Sequence, residues 1–308
     1  MPAWTGTTWT CHNLKSRCGC MNSVNRDSDL IKILYRQLVG READPAGLTY
    51  HEELLHGQPD IMVREELVRG MMHSDEASNH LVRHLYLRAS PDPFLKSQEI
   101  VSLGTHCFTS YLLKSFGLKA YSGPFDWLFS SPAMIEHCLI DNFETFLDQS
   151  YYEPVPLERR RDGANVNKVD HRFYRNEFGV NYVFNHHDVH LMADYGYVTR
   201  CVDRFRASAA SDRQKAYLLV RKESPETGDN FDRIAAAVDQ TTRNGVLVYV
   251  SVGDREADLP QVTVHRSRGR HRLLSLKPIS QWNALTFDDV LDEVTILKSI
   301  GSVLKESR

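Results

Sequence analysis

One cysteine stands where its side chain could act as a nucleophile. Cys107 ends the run SLGTHC at residues 102–107, in which an apolar stretch stops at Gly104 and a helical pattern follows. Backbone N–H groups at a helix N-terminus stabilise a thiolate, lower the thiol pKa and can also hold an oxyanion. The position therefore predicts a nucleophile. The alternative is a small cysteine packed in the core.

Two adjacent histidines, His186 and His187, could supply the base that such a thiol needs. A cysteine–histidine pair requires the imidazole within hydrogen-bond reach of the sulfur, and a third group that holds the ring. Asp188 is a poor third group, because neighbouring side chains of an extended strand point to opposite faces. Asp126, in a turn that begins with proline, is the better candidate. Its alternative role is to cap or brace that loop.

Two arginines and the residues around the thiol are candidates for substrate contacts. Arg200 and Arg204 lie one helical turn apart, so they could clamp a carboxylate or phosphate. Salt bridges to nearby aspartates are the alternative for both. His106 could tune the thiol electrostatically or simply stand exposed at the helix start. The full set of predicted substrate-binding residues is Gly104, Thr105, His106, Trp127, Arg200 and Arg204.

The other cysteines predict no disulfide and no metal site. The six are Cys11, Cys18, Cys20, Cys107, Cys138 and Cys201. The first three cluster with His12, but a single residue separates Cys18 from Cys20, which matches no common zinc spacing. Cys138 and Cys201 fall in apolar helical patterns and are expected in the core. We read all six as free thiols in a reducing compartment.

Metal binding by the central histidines is not predicted either. His186 and His190 would share a face only on a helix. The apolar lead-in Val180–Phe184 favours a strand instead. We therefore expect neither a metal nor another cofactor.

Strand and helix patterns alternate after residue 95, and this order positions the candidate residues. A strand over 216–220, an amphipathic helix over 230–243 and a strand over 246–252 make a crossover unit, which implies parallel pairing. Further strands are predicted at 100–103, 180–184, 262–264 and 273–276, and further helices up to 116, over 198–210 and over 287–304. The prediction is an α/β fold with a mixed or largely parallel sheet flanked by helices.

The first part of the chain has a different pattern. Residues 28–88 read as a small all-helical domain, joined through a proline-rich linker to an α/β domain over 95–308. Residues 1–27 are polar and aperiodic and are predicted to be a disordered leader. Translation from Met21 instead of Met1 is an open alternative.

Composition excludes several function classes. The 308 residues are 42% hydrophobic and 25% charged, which is ordinary for a globular protein. The net charge of −3 predicts no nucleic-acid partner and no anionic membrane surface. No apolar run approaches the ~20 residues of a membrane helix. The N-terminal residues lack the apolar centre of a signal peptide, so a cytoplasmic location is expected. Export by a route that needs no signal peptide is the alternative.

The N-terminal helical part resembles a helical domain of unknown function found in bacterial extracellular, surface-layer and glycosyltransferase-associated proteins. The motif Gly-Arg-x-x-Asp-x-x-Gly at residues 40–47 and the trailing Ser-x-Glu at 74–76 carry the likeness. His51 stands where tryptophan is usual. The resemblance implies binding or assembly, with a possible protein partner at residues 28–88. Arg41 and Asp44 are predicted to brace one helix end with a salt bridge.

Three ordered motifs in residues 98–295 resemble a bacterial family described as "putative papain-like cysteine peptidase". They are Ser-Leu-Gly-x-x-Cys ending at Cys107, Pro-Phe-Asp-Trp at 124–127 and Phe-x-His ending at His186. Tyr197, Arg200 and Arg204 also fit the family pattern Tyr-x-x-Arg-x-x-x-Arg.

The resemblance implies that Cys107 is the nucleophile and that His186 is the base, since His186 keeps the Phe-x-His spacing. His187 is the second candidate. A papain-like fold pairs a helical lobe with a mostly antiparallel barrel, whereas the crossover unit predicts a parallel sheet. A thiol at the carboxyl end of a strand suits the parallel layout, because sites in α/β proteins gather beyond strand ends.

The leading hypothesis is a cysteine-dependent hydrolase or acyl transferase that acts on a peptide or another acyl substrate. An enzyme acting on envelope polysaccharides is a second possibility. The non-enzymatic alternative is a binding or assembly protein associated with bacterial cell-envelope glycan or surface proteins. The enzyme requires Cys107 and a histidine within about 3–4 Å at a solvent-reachable cleft. The alternative requires a buried Cys107 and distant histidines.

Overall fold

The computed structural model describes residues 23–56, 61–89, 93–160, 166–255 and 258–307. The chain divides into two compact units, Met1–Leu81 and Val82–Arg308. The predicted disordered leader, residues 1–27, falls largely outside the described residues, but its last five residues belong to a helix that begins at Ser23, so disorder was wrong for them. The cluster of Cys11, His12, Cys18 and Cys20 lies entirely outside the described residues.

The first unit is built from helices. They are α1 (Ser23–Leu34), which continues into a π-helical turn (Tyr35–Val39), α2 (Pro45–Leu55), α3 (Ile61–Met72) and the first part of α4 (Asp75–Ala89), which crosses into the second unit after Leu81. Apolar residues at helical spacing meet in one small core. Its buried members are Ile31, Tyr35, Val39, Leu55, Leu67 and Met71.

The predicted salt bridge at the glycine turn is confirmed. Arg41 Nη1 lies 2.9 Å from Asp44 Oδ2, and Arg41 Nε lies 2.6 Å from Glu76 Oε1. Asp44 is also the N-cap of α2, because its side chain accepts the Gly47 N–H at 2.8 Å. One arginine thus connects the start of α2 to the first turn of α4. The motif is explained by local structure.

The second unit contains the sheet and its covering helices. In chain order these are α5 (Pro93–Ser97), β1 (Glu99–Ser102), α6 (Phe108–Ser115), α7 (Pro132–Ile140), α8 (Glu144–Leu147), β2 (Tyr152–Pro154), β3 (Val169–His171), α9 (Arg172–Phe178), α10 (Met192–Ala210), β4 (Lys215–Lys222), α11 (Thr227–Thr241), β5 (Gly245–Val252), β6 (Gln261–Arg268), β7 (His271–Lys277) and α12 (Val290–Glu306). Short 3₁₀ turns lie at Gln149–Tyr151 and Leu157–Arg159.

The five-stranded sheet has the order β1-β4-β5-β7-β6. The first four strands pair in parallel, and β6 pairs antiparallel with β7. Strands β2 and β3 form a separate antiparallel pair. The predicted fold class, a largely parallel sheet flanked by helices with helices at the N-terminus, is confirmed.

Apolar side chains cover both faces of the sheet, as continuous apolar strands require. On β4, Tyr217 and Leu219 belong to the core under α7, α10 and α11, whereas Leu218 and Val220 belong to the core under α6 and α12. This alternation means that successive residues of a strand serve opposite layers. Arg221 follows the alternation of Tyr217 and Leu219 and so lies on the same face of β4.

The predicted strand over 180–184 is wrong. Only Phe184 pairs, through a single antiparallel bridge to Val169. Tyr182 has a φ of 56° and donates its N–H to Asp170, and this left-handed conformation interrupts an extended chain. The apolar residues of the segment, Val180 and Val183, are buried as part of a packed loop. Their apolarity reflects burial rather than sheet pairing.

Within the described part of the chain, no helix combines the length and apolarity needed to cross a membrane.

Candidate functional site

The turn between β1 and α6 places Cys107 at one edge of the sheet. Sheet pairing continues one residue beyond β1, where Leu103 N–H donates to Leu218 C=O at 2.8 Å. The chain then turns and enters α6 with Cys107 as the N-cap residue, whose C=O accepts the Tyr111 N–H at 2.9 Å. The thiol therefore lies beyond the carboxyl end of a parallel strand and at the N-terminus of a helix.

Gly104 makes this turn possible. A Cβ atom at this position would lie 2.7 Å from the His106 backbone oxygen, a distance that real Cβ contacts do not reach. Its N–H donates to Ser102 Oγ at 3.2 Å. Gly104 thus shapes the thiol-bearing turn through backbone geometry.

A short segment, Phe129–Ser130, ties this turn to the loop that carries the histidines. Ser130 N–H donates to Thr105 C=O at 3.2 Å, and Ser130 Oγ donates to Gly104 C=O at 2.9 Å. The preceding Phe129 N–H donates to Val183 C=O at 3.1 Å. Two loops that are distant in sequence are therefore held side by side.

The structure brings Cys107 and His186 together. Cys107 Sγ lies 3.5 Å from His186 Nε2, within hydrogen-bond range for sulfur. The cysteine is half-buried and the histidine is exposed, so solvent reaches the pair. This is the geometry that the sequence hypothesis required of an enzyme.

A neighbouring amide sets the state of the imidazole. Asn185 Nδ2 lies 3.0 Å from His186 Nε2, and Asn185 Oδ1 accepts the Asn167 N–H at 2.8 Å. Because the oxygen is already used, the NH₂ group faces the ring and donates to Nε2. The neutral imidazole then carries its proton on Nδ1 and presents a lone pair at Nε2. Sequence reasoning missed Asn185, although it directly precedes the predicted base.

The electrostatics of the pair differ from the sequence expectation. Burial raises the pKa of the Cys107 thiol, and the backbone hydrogen bond that lowers it has a smaller effect. Burial lowers the pKa of His186, and the charges of His187 and Lys168 lower it further. Both directions favour uncharged groups. The expectation of a depressed thiol pKa is therefore corrected: at rest the pair is a neutral thiol and a neutral imidazole.

Asp126 does not reach either histidine. Its buried carboxylate accepts the Gly123 N–H at 2.7 Å and pairs with Lys119 Nζ at 2.6 Å. Among the described residues, no hydrogen bond joins Asp126 to His186 or His187. Burial raises the pKa of Asp126, while Lys119 opposes that rise. These contacts fit the alternative role of Asp126, which is to brace its loop instead of holding a catalytic histidine.

His187 faces away from the thiol pair toward a small cavity. Its Nδ1 lies 3.8 Å from Asp194 Oδ1, and its ring lies 4.7 Å from the ring of Tyr197. Asp194 also accepts the Asp188 N–H at 2.7 Å and so fixes the loop. Within the described residues, His187 forms no hydrogen bond with Cys107. Asp194 had no distinguishing pattern in the sequence.

Three predicted substrate contacts surround the thiol or the cavity. Thr105 is buried, and its Oγ1 lies 2.9 Å from His106 Nδ1. The His106 ring packs edge-on against Phe129, and its pKa is lowered first by burial and then by the charge of Arg221. Trp127 lines the small cavity beside His187, and its ring lies 4.8 Å from Lys119 Nζ.

The two arginines of α10 do not meet Cys107 or His186 in the described structure. Arg204 Nη1 donates to Ser122 C=O at 3.0 Å and so supports the turn that precedes Trp127. Arg200 is exposed and lies beside Gly196. Neither forms an ion pair with a carboxylate among the described residues. The suggested salt bridges to aspartates are absent there.

Two other cysteines are packing residues, as predicted. Cys138 and Cys201 are buried and free, and Cys138 Sγ lies 3.2 Å from Tyr174 Oη. Burial raises the pKa of both thiols. No group of three or more potential metal ligands occurs among the described residues.

Comparison with known families agrees with the arrangement of motifs. Residues 98–233 match the model described as "Putative papain-like cysteine peptidase (DUF1796)", and residues 14–81 match the model described as "Domain of unknown function (DUF4214)". The likeness to the papain-like family is thus confined to residues 98–233. No curated protein and no solved structure matches the chain.

The papain-like segment is only part of the α/β unit. It includes β1, α6, the loop of His186 and β4, and it ends within α11. Strands β5, β7 and β6 lie beyond it and complete the sheet. The largely parallel sheet differs from the antiparallel barrel that the word papain-like implies. The match to the family model supports a cysteine hydrolase at the level of the family.

Proposed function

We propose that this protein is a thiol-dependent hydrolase or acyl transferase in which Cys107 is the nucleophile and His186 is the general base. The distance of 3.5 Å between Cys107 Sγ and His186 Nε2, at a solvent-reachable position, is the observation that carries the proposal. The non-enzymatic alternative predicts a buried Cys107 with distant histidines. The observed pair favours the enzyme.

The reaction follows from the neutral pair. As Sγ attacks the acyl carbon, His186 Nε2 takes the thiol proton, and the carbonyl oxygen becomes an oxyanion. When the oxyanion collapses, Nε2–H returns the proton to the leaving group, which departs and leaves a thioester on Cys107. Water, or another nucleophile in a transferase, then attacks that thioester with the same base.

Backbone groups can hold the oxyanion. The Phe108 N–H lies in the first turn of α6, and no acceptor among the described residues takes it. Such donors at a helix N-terminus are already oriented, so they stabilise the negative oxygen without reorganisation. This arrangement supports acyl chemistry.

Asn185 is not an acidic triad member, and its NH₂ group competes with the thiol for the base nitrogen. Its NH₂ group donates to His186 Nε2 in the resting state and so disfavours a proton there. Nε2 has a single lone pair, so the Asn185 N–H must leave this nitrogen before Nε2 takes the thiol proton. A peptide or other acyl substrate, and a protein partner at residues 28–88, remain parts of the proposal.

Acyl-enzyme trapping tests the proposal. We expect p-nitrophenyl acetate to place one acetyl group on Cys107, detected by peptide-resolved mass spectrometry, which separates the six cysteines. Cys107→Ala removes the adduct, and His186→Ala slows its formation by about 10²–10⁴-fold, the contribution of a positioned base. Cys201→Ala is the matched control and leaves acetylation unchanged. Acetylation at equal rates in the parent and in His186→Ala contradicts the proposal.

A further inference from the structure

A half-buried guanidinium shares the sheet edge of the Cys107 turn. Arg221 is the penultimate residue of β4, which pairs in parallel with β1. The carboxyl ends of neighbouring parallel strands meet at the same edge, and the chain beyond β1 still bonds to β4 through Leu103. The charge of Arg221 acts on His106, the residue before Cys107. The guanidinium and the thiol therefore lie at the same edge of the sheet.

Arg221 lacks an anionic partner among the described residues. Its neighbour Lys222 pairs with Asp254 at 2.6 Å, and Arg266 pairs with Asp232 at 2.6 Å. No described carboxylate forms an ion pair with Arg221, although the residue is half-buried. A charge partly removed from water without a counter-charge is unfavourable, and an anionic ligand would relieve that cost.

Two of the groups beside Arg221 are neutral hydroxyls. Ser251 is its direct neighbour across β4 and β5, and Tyr249 lies two residues earlier on the same face of β5. Both side chains are buried, and in the described part of the chain neither hydroxyl forms a hydrogen bond of normal length and angle, although the Tyr249 hydroxyl lies close to Arg221 and Thr227. Burial raises the pKa of Tyr249, and the charge of Arg221 opposes that rise, which places the two groups close together. Hydroxyls cannot neutralise a guanidinium, so its positive charge is available.

We propose that Arg221 binds a carboxylate of the substrate and thereby directs negatively charged acyl compounds to Cys107. A guanidinium and a carboxylate match through two parallel charge-assisted hydrogen bonds. The acyl part of this inference rests on the proposed function, whereas the anion site rests on the sheet edge alone. The two parts are tested separately.

Alkylation tests the anion site without any acyl chemistry. Iodoacetate and iodoacetamide react alike: the Cys107 sulfur displaces iodide and its proton goes to solvent. The two reagents differ only in that iodoacetate carries a carboxylate where iodoacetamide carries a neutral amide. We expect Arg221→Ala to lower the iodoacetate rate at Cys107 by about tenfold, the worth of a charge-assisted hydrogen bond, with the iodoacetamide rate unchanged.

Two further variants sharpen this measurement. Arg221→Lys retains part of the iodoacetate rate, because the charge remains without the bidentate fork. Arg213→Ala removes an exposed arginine near the opposite end of β4 and leaves both rates unchanged. An equal ratio of the two rates in the parent and in folded Arg221→Ala, with matching circular dichroism, overturns the anion site.

An ester pair tests the substrate class. We expect the parent to be acylated at Cys107 faster by the p-nitrophenyl monoester of succinate than by p-nitrophenyl acetate, and Arg221→Ala to lose that preference. Acylation by both esters at equal rates in the parent overturns the substrate class and leaves the hydrolase standing. No acylation by either ester, with an Arg221-dependent preference for iodoacetate, overturns the hydrolase and leaves the anion site standing.

Discussion

The pKa values of Cys107 and His186 are shifted in the directions that keep both side chains uncharged. Burial raises the thiol pKa and lowers the imidazole pKa, and Asn185 directs an N–H at the nitrogen that faces sulfur. A thiolate–imidazolium pair would need a lowered thiol pKa and a raised imidazole pKa. The site therefore resembles a hydroxyl nucleophile with its base more than a preformed thiolate, and its pH behaviour should differ accordingly.

The pH profiles of acylation and alkylation should separate. Acylation needs neutral His186, so its rate rises with pH through a midpoint below the ordinary histidine value of 6.5 and is already level near neutrality. Iodoacetamide alkylation needs the thiolate, so its rate keeps rising past the ordinary thiol value of 9.0. Both rates are measured at Cys107 by mass spectrometry across the pH range. An alkylation plateau below pH 7 would contradict the neutral pair.

At the scale of elements, the turn from β1 into α6 depends on Gly104. We expect Gly104→Ala to destabilise the protein by about 1–3 kcal/mol and to abolish acylation, because the new Cβ meets the His106 backbone oxygen. Gly123→Ala is the matched control in the next loop, where the nearest atom lies 3.9 Å from an added Cβ. Urea unfolding and acylation rates check both. Equal behaviour of the two variants would show that the turn tolerates a side chain.

The loop at Asp126 offers a test of bracing against catalysis. We expect Asp126→Asn to destabilise the protein by about 1–3 kcal/mol, because the largely enclosed Lys119 ammonium loses its counter-charge and keeps only its hydrogen bond to Ser110. The acylation pH profile of the remaining folded protein should keep its midpoint. Asp126→Asn combined with Lys119→Met should recover much of the lost stability. A shifted midpoint in Asp126→Asn would instead assign Asp126 to the histidine.

The sequence predicted regular elements and missed the loops between them. Continuous apolar runs and a crossover helix sufficed for β4, α11 and β5, since period and length are local properties. The loop before His186 was predicted as a strand because a buried loop is as apolar as a buried strand. The positive φ of Tyr182, which interrupts the extended chain, cannot be recognised from a hydropathy pattern. The roles of Asn185 and Arg221 could not be predicted from the sequence, because they depend on neighbours that are distant along the chain. Motif spacing predicted that Cys107 and His186 form a pair. Their charge state depends on how deeply each side chain is buried, which only the tertiary structure gives.

At the scale of the whole molecule, buried histidines should make stability depend on pH. His171 is fully buried, its Nε2 lies 3.1 Å from Thr145 C=O, and its Nδ1 has no partner among the described residues. Burial lowers its pKa from 6.5 to about 4. Above pH 6.5 the ring is neutral in the folded and unfolded states alike. Below that value the unfolded chain takes up the proton first, so stability falls as the pH drops from 6.5 to about 4.

His171→Gln isolates this contribution, because an amide keeps a donor for Thr145 and does not titrate. The lowered pKa corresponds to about 3 kcal/mol of unfolding free energy lost between pH 6.5 and 4 in the parent. We expect His171→Gln to lose less unfolding free energy than the parent between pH 6.5 and 4, by about this amount. This difference does not depend on the stability of the variant at neutral pH. His265→Gln, at an exposed position on β6, should follow the parent curve. Urea unfolding at several pH values gives the slopes, and equal slopes in His171→Gln and the parent would show that His171 gains its proton as easily when folded as when unfolded.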